Sequence, residues 1–200
     1  MSNQFLNLIK NRRTIYAIGK NLSQSPDELT TLIEDAIANS PSAFNSQTSR
    51  AVILFGQEHQ HFWDIVKDVL KPFAPTEDAQ QKTNAKVDSF AAGVGTVLFF
   101  EDQDVVKSLQ DQFPLYADNF PVWAEHSTGI AQFSVWTALA EQGVGASLQH
   151  YNPLVDEKVH QKWNVPGNWQ LRAQLVFGSI EAPAGEKEFM DREQRFRVFK

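Results

Sequence analysis

The chain has 200 residues, 24 acidic against 18 basic side chains, a net charge of −6 and no cysteine. Disulfides, thiolate metal sites, cysteine-ligated iron–sulfur clusters and a cysteine nucleophile are therefore excluded, and any redox chemistry must come from a bound cofactor. An acidic balance also argues against nucleic acid or an anionic membrane as the main partner, because phosphate groups demand a basic footprint.

With 42% hydrophobic residues, a chain of this length fits a single domain, 1–200, with a substantial core. Its continuous apolar runs, such as Ala51 to Phe55 and Val97 to Phe100, fall far short of the ~20 residues a membrane helix needs. The start, Met1 to Arg13, lacks the apolar core of a secretory leader, so a cytoplasmic protein is expected.

Phe5, Leu8 and Ile9 have helical spacing, and the pattern ends at Asn11-Arg12-Arg13-Thr14-Ile15-Tyr16, where β-branched and aromatic residues take over. Ser25-Pro26-Asp27-Glu28 is a helix start: Ser25 as N-cap, Pro26 at the first helical position, Glu28 closing a capping box. That helix carries Leu29, Leu32, Ile33, Ala36 and Ile37 on one face and stops before Pro41. Ser40 to Ser49 is a loop rich in serine, threonine and amides, ahead of a strand over 51–55. It reads either as a solvated turn or as a set of donors and acceptors held over a site.

Helices are predicted over 58–70, 78–92 and 104–112, with a proline break at 71–75 and a strand over 96–100. Phe120-Pro121-Val122-Trp123 forms an aromatic approach to the helix between Gly129 and Gly143, whose bulk points to every side and predicts a buried central helix. Gly143 suits a left-handed helix stop. An extended segment over 148–151, a helix over 154–163 and a strand over 171–180 follow, and the chain ends in arginines at 192, 195 and 197.

No dinucleotide fingerprint is present, because Gly93/Gly95 and Gly143/Gly145 follow helices and precede strands, the reverse of the required order. The five histidines have no metal-ligand spacing, no GxSxG elbow exists, and the adjacent carboxylates Glu34-Asp35 and Glu101-Asp102 suit solvated surface. Neither a catalytic acid, base or nucleophile nor a metal site is indicated. What stands out is arginine near both chain ends, Arg12-Arg13 and Arg195/Arg197, either plain surface or planar forks suited to phosphate.

Taken in order, Arg12-Arg13-Thr14 with Tyr16, the Pro41 to Gln47 stretch PSAFNSQ, Gly143 to Pro153 (GVGASLQHYNP) and the terminal Arg-x-Arg resemble the nitroreductase superfamily. They are most similar to its small group named after the fatty-acid repression mutant, over almost the whole chain. The resemblance implies an α+β sandwich, a mainly antiparallel sheet flanked by helices, assembled as an intertwined homodimer with FMN in two interfacial clefts. It also implies a site. Arg12 with Arg195 or Arg197 would grip the FMN phosphate. Arg13, Thr14 and Tyr16 would reach the phosphate, ribityl chain or ring edge. Ser42, Ala43, Asn45 and Gln47 would edge the flavin from the partner subunit, Ser147, Leu148 and Gln149 would lie near its reactive nitrogen, and Lys86 would contact the pyrimidine. Phe44, Phe120 and Trp123 are candidates to cover the ring and stack substrate, or are core.

The implied activity is FMN-dependent transfer of reducing equivalents from NAD(P)H to nitroaromatic or quinone acceptors by a ping-pong route. An FMN-binding regulatory or stress-response protein with incidental reductase activity is the alternative. Many full-length family members have a Glu-Gly pair near the reactive nitrogen where this chain has His150-Tyr151, so donor and substrate preference do not carry over.

Overall fold

In the computed structural model, which describes residues 3–200, one five-stranded antiparallel sheet organises the chain. β3 (Gly95–Asp102) lies between β2 (Ser49–Phe55) and β5 (Trp169–Ile180), and the far side of β5 carries β4 (Gly145–Gln149) and the two-residue β1 (Ile18–Gly19). β3 is buried at every position, which explains why Thr-Val-Leu-Phe-Phe reads as an unbroken apolar run rather than an alternation.

Each face of the sheet has its own core. On one side Leu98, Phe100 and Val176 pack against α3 (Gly56–Leu70), α4 (Glu77–Ala91) and α7 (Asp156–Trp163), with Phe62, Trp63 and Phe90 fully buried. On the other, Val97, Phe99, Leu175 and Phe177 meet α2 (Pro26–Ala38) and α6 (Phe120–Glu141) through Leu29, Ile33, Val135 and Leu139. α2 begins in the expected way: Ser25 Oγ accepts from the Glu28 amide, and Glu28 accepts from the Ser25 amide at 2.7 Å. α1 (Gln4–Asn11), capped by Asn3, rests on α6, and α5 (Gln103–Gln112) joins β3 to the turn before α6.

The expected α+β architecture is present, with two corrections around α6. The helix starts at Phe120 rather than near Gly129, so the aromatic approach is its first turn. Polar residues Glu125 to Thr128 hid this continuity, although Ser127 and Thr128 are buried. Nor is α6 enclosed on all sides, since Val122 and Ile130 are exposed and Phe133 and Trp136 half-buried. The sheet and α2 cover only part of its circumference. The extended segment expected over 148–151 is instead Gly145–Gln149, paired with β5; a side chain at Gly145 would meet Ile15 and Ile180 at 2.9 Å, so only glycine fits there, and His150 and Tyr151 lie past the strand's end. Gly143 takes the left-handed conformation (φ 72°) that ends α6. The helix expected from Leu154 begins at Asp156, after the turn that Pro153 starts.

Candidate functional site

Thr14 bridges Ala146 of β4, and the Ile15 amide donates to the Ala146 carbonyl at 2.9 Å, which brings the first arginines beside the GASLQ strand. Arg12, Arg13, Thr14 and Tyr16 line a hollow of about 470 Å3, whose other wall is Ala182 to Lys187. Arg13 donates to the Gly185 carbonyl at 2.7 Å, and the Lys86 ammonium, from α4, lies 4.5 Å from the centre of the Tyr16 ring. Four of the residues implied by the resemblance, Arg12, Arg13, Thr14 and Tyr16, line this one hollow, and Lys86 stands beside Tyr16 at its edge.

Arg12 is under electrostatic stress. Its guanidinium lies 4.4 Å from the centre of the Trp136 ring, Nε is buried without a partner, and so is the nearby indole Nε1. Burial first, and the charge of Arg13 second, lower its pKa from the ordinary arginine value. Two cationic forks side by side, one with a buried unused donor, are a fit for a doubly charged phosphate.

Ser147, Leu148 and Gln149 follow on β4, with Ser147 fully buried and accepting from Gln149 Nε2 at 3.1 Å. His150 is exposed. Tyr151 points inward instead, its ring 5.9 Å from Trp63 and its amide donating to Gln174 at 2.7 Å.

The Ser42 to Gln47 loop does not border the hollow of Arg12 and Arg13 within one chain. Ser42 and Gln47 border a hollow of about 140 Å3 with Ile37, Ser49, Arg50 and Ala131. Phe44, Asn45 and Gln47 have φ of 58°, 50° and 48°. Asparagine adopts this region readily, but a phenylalanine and a glutamine held there store strain of about 1–3 kcal/mol each. The loop is held by its own contacts: the Gln47 amide donates to Ser42 Oγ at 2.9 Å, and the Asn45 and Ser46 amides donate to the Ser42 and Ala43 carbonyls. From outside, Arg50 donates to the Gln47 carbonyl at 2.6 Å.

That backbone twist throws Phe44 outward onto the first turn of α6. Its ring stacks on Trp123, 5.9 Å away with planes 20° apart, and meets Phe120 edge-on at 5.3 Å. Phe113 at 5.0 Å and Tyr116 at 6.2 Å complete an aromatic cluster that sequence reading missed, although both flank Pro114. Phe120 is buried, whereas Phe44 keeps half its surface in solvent. Arg195 and Arg197 are not joined to Arg12 in the single chain: both lie on the exposed tail around α8 (Arg192–Arg195), where Arg197 donates back to the Glu193 carbonyl.

Below the loop lies a buried carboxyl. Glu101, at the end of β3, accepts from Ser49 Oγ at 3.0 Å while its second oxygen has no partner, and burial pushes its pKa up to about 7. Its adjacency to Asp102 suggested solvated surface; the pairing of β3 with β2 and β5 buries it instead.

Residues 9–179 match the Nitroreductase family. Nitroreductase FRM2 of Saccharomyces cerevisiae is 40% identical over 189 residues, covering 94% of this chain and 93% of its own. Nitroreductase CinD from Lactococcus lactis, solved in complex with nicotinic acid, is 56% identical with a TM-score of 0.92, covering 98% of this chain and all of its own. A crystal structure of a nitroreductase from Saccharomyces cerevisiae is 39% identical with a TM-score of 0.77, covering 90% of this chain and 97% of its own.

Proposed function

Because the chain belongs to the nitroreductase family, we propose that it is an FMN-dependent oxidoreductase passing reducing equivalents from NAD(P)H to nitroaromatic or quinone acceptors. Arg12 carries this reading: a half-buried guanidinium with an unpartnered Nε, crowded by Arg13, beside a hollow large enough for part of a nucleotide. In it, Arg12 and Arg13 neutralise the phosphate, Thr14 and Tyr16 border the ribityl and ring edge, Lys86 faces the pyrimidine, and Ser147 to Gln149 form the wall beside the ring. When bound, FMN would supply hydride acceptance from a nicotinamide and hydride donation to an acceptor, which is why no acid, base or nucleophile is required of the chain. CinD has also been solved with chloramphenicol and with 4-nitrophenol, which supports flat aromatic acceptors here.

The complete site takes two copies. Ser42, Ala43, Asn45 and Gln47 do not border the Arg12 hollow in one chain, and Arg195 and Arg197 extend from the domain, so a partner subunit would supply the missing side. Apolar surface supports this: Phe5 and Leu6 on α1, Val122 and Ile130 on α6, and Phe189, Phe196 and Phe199 on the tail are all exposed. Sedimentation is expected to give twice the 22.6 kDa chain mass; a monomer that holds FMN tightly would contradict a shared site.

Steady-state turnover tests the activity. With NADH or NADPH against nitroaromatics and quinones, double-reciprocal plots should be parallel, as expected when donor and acceptor use one cleft in turn. Reduction no faster than by free FMN would favour a flavin-binding regulatory protein instead.

A further inference from the structure

Of the left-handed residues in the loop expected to edge the flavin, Phe44 is packed on the aromatic cluster, and Gln47 is held from outside by Arg50. Arg50, the second residue of β2, donates through Nη1 to the Gln47 carbonyl at 2.6 Å and to the Ser49 carbonyl at 3.2 Å. Its other terminal nitrogen pairs with Asp102 Oδ2 at 2.9 Å. Asp102 is itself fixed: Oδ1 accepts from Asn168 Nδ2 at 2.7 Å and from the Asp104 amide at 3.1 Å, and its own amide donates to the Thr48 carbonyl at 3.0 Å. The Trp169 ring lies 5.8 Å from the guanidinium carbon.

We propose that Arg50 is a positioning residue for cofactor binding: its planar fork ties the Gln47 carbonyl to the buried end of β3 and so keeps Ser42 to Gln47 in the shape that meets FMN. A φ of 48° at Gln47 is unfavourable for an unbranched side chain, so this backbone needs outside support, and the Gln47 carbonyl is where Arg50 provides it. Asp102 is largely buried and held by Asn168, so it anchors the fork to the end of β3. Lysine can substitute only in part, because a single ammonium lacks the fixed angle between two donors that spans carbonyl and carboxylate together. The proposal rests on the FMN reading above and adds a residue that does not itself touch the flavin.

Two readouts on the purified holoprotein test it: the rate of FMN release, followed by flavin fluorescence, and amide hydrogen exchange. Arg50→Met is expected to release FMN about tenfold faster or more, the consequence of losing one charge-assisted hydrogen bond. Faster exchange should be confined to Ser46 and Gln47, with the β3 amides unchanged. Arg50→Lys should fall between wild type and Arg50→Met, and it decides the matter by the same readouts if Arg50→Met does not fold. Release at the wild-type rate from the folded variants, or exchange that quickens throughout β3, would overturn the proposal. Wild-type protein that takes up no FMN would overturn the proposed function itself, a result distinct from the first; the clamp is then overturned if Ser46 and Gln47 exchange alike in wild type and variants.

Discussion

Replacing Arg12 by alanine is expected to weaken FMN binding on the order of 10- to 150-fold, the equivalent of one hydrogen bond to a charged group. The expectation is strong because Arg12 is so poorly satisfied without an anion. Its Nε has no acceptor, Arg13 repels it, and burial lowers its pKa. Stacking on Trp136 holds the fork in place, so little side-chain freedom remains to be lost on binding. Arg12→Lys keeps a charge but loses both the fork and the stacking, and should recover only part of the loss. Fluorescence titration of apoprotein with FMN measures this. Equal affinities for wild type and Arg12→Ala would place the phosphate elsewhere.

The second large effect concerns Glu101. Its carboxyl is raised from 4.5 to about 7 by burial, offset in part by the Ser49 hydrogen bond, so the folded protein retains a proton that the unfolded chain releases. Its contribution to stability is fully present below pH 4.5 and is lost as pH rises through about 7, amounting to roughly 3 kcal/mol. His59 has the opposite sign. Burial lowers it from 6.5 to about 4 beneath Thr96 and the Ala91 carbonyl, so its contribution is present above pH 6.5 and is lost as pH falls through about 4. The two nearly cancel between these limits. Glu101→Gln keeps the shape and the Ser49 contact but removes the titration. Relative to wild type it should be more stable at pH 8 by roughly 3 kcal/mol, with the gap closing toward pH 4.5. Urea unfolding at both pH values decides this; an equal change at each would mean that packing, and not ionisation, governs the site.

Signals carried by neighbouring residues were legible in the sequence. Ser25, Pro26 and Glu28 marked the start of α2 because a capping box needs only its own turn. Gly143 marked the end of α6 for a similar reason. The Arg12 to Thr14 motif and the GASLQ strand are far apart in sequence, and only the resemblance placed them together; the bridge between Thr14 and Ala146 does so in space. The start of α6 was hidden because Ser127 and Thr128 are polar yet buried, a consequence of tertiary packing that periodicity does not see. Glu101 and Arg50 were missed on the same ground. Arg50 meets Asp102 across 52 positions, and Asp102 meets Asn168 across 66, so strand pairing makes the clamp and no local pattern announces it.

The central claim is a bound flavin that nicotinamide reduces, and the visible spectrum of the purified protein tests it most directly. The protein should be yellow, release FMN on denaturation, and bleach when NADH or NADPH is added without oxygen, with colour restored by a nitroaromatic. A colourless protein that cannot be reconstituted with FMN would contradict the account.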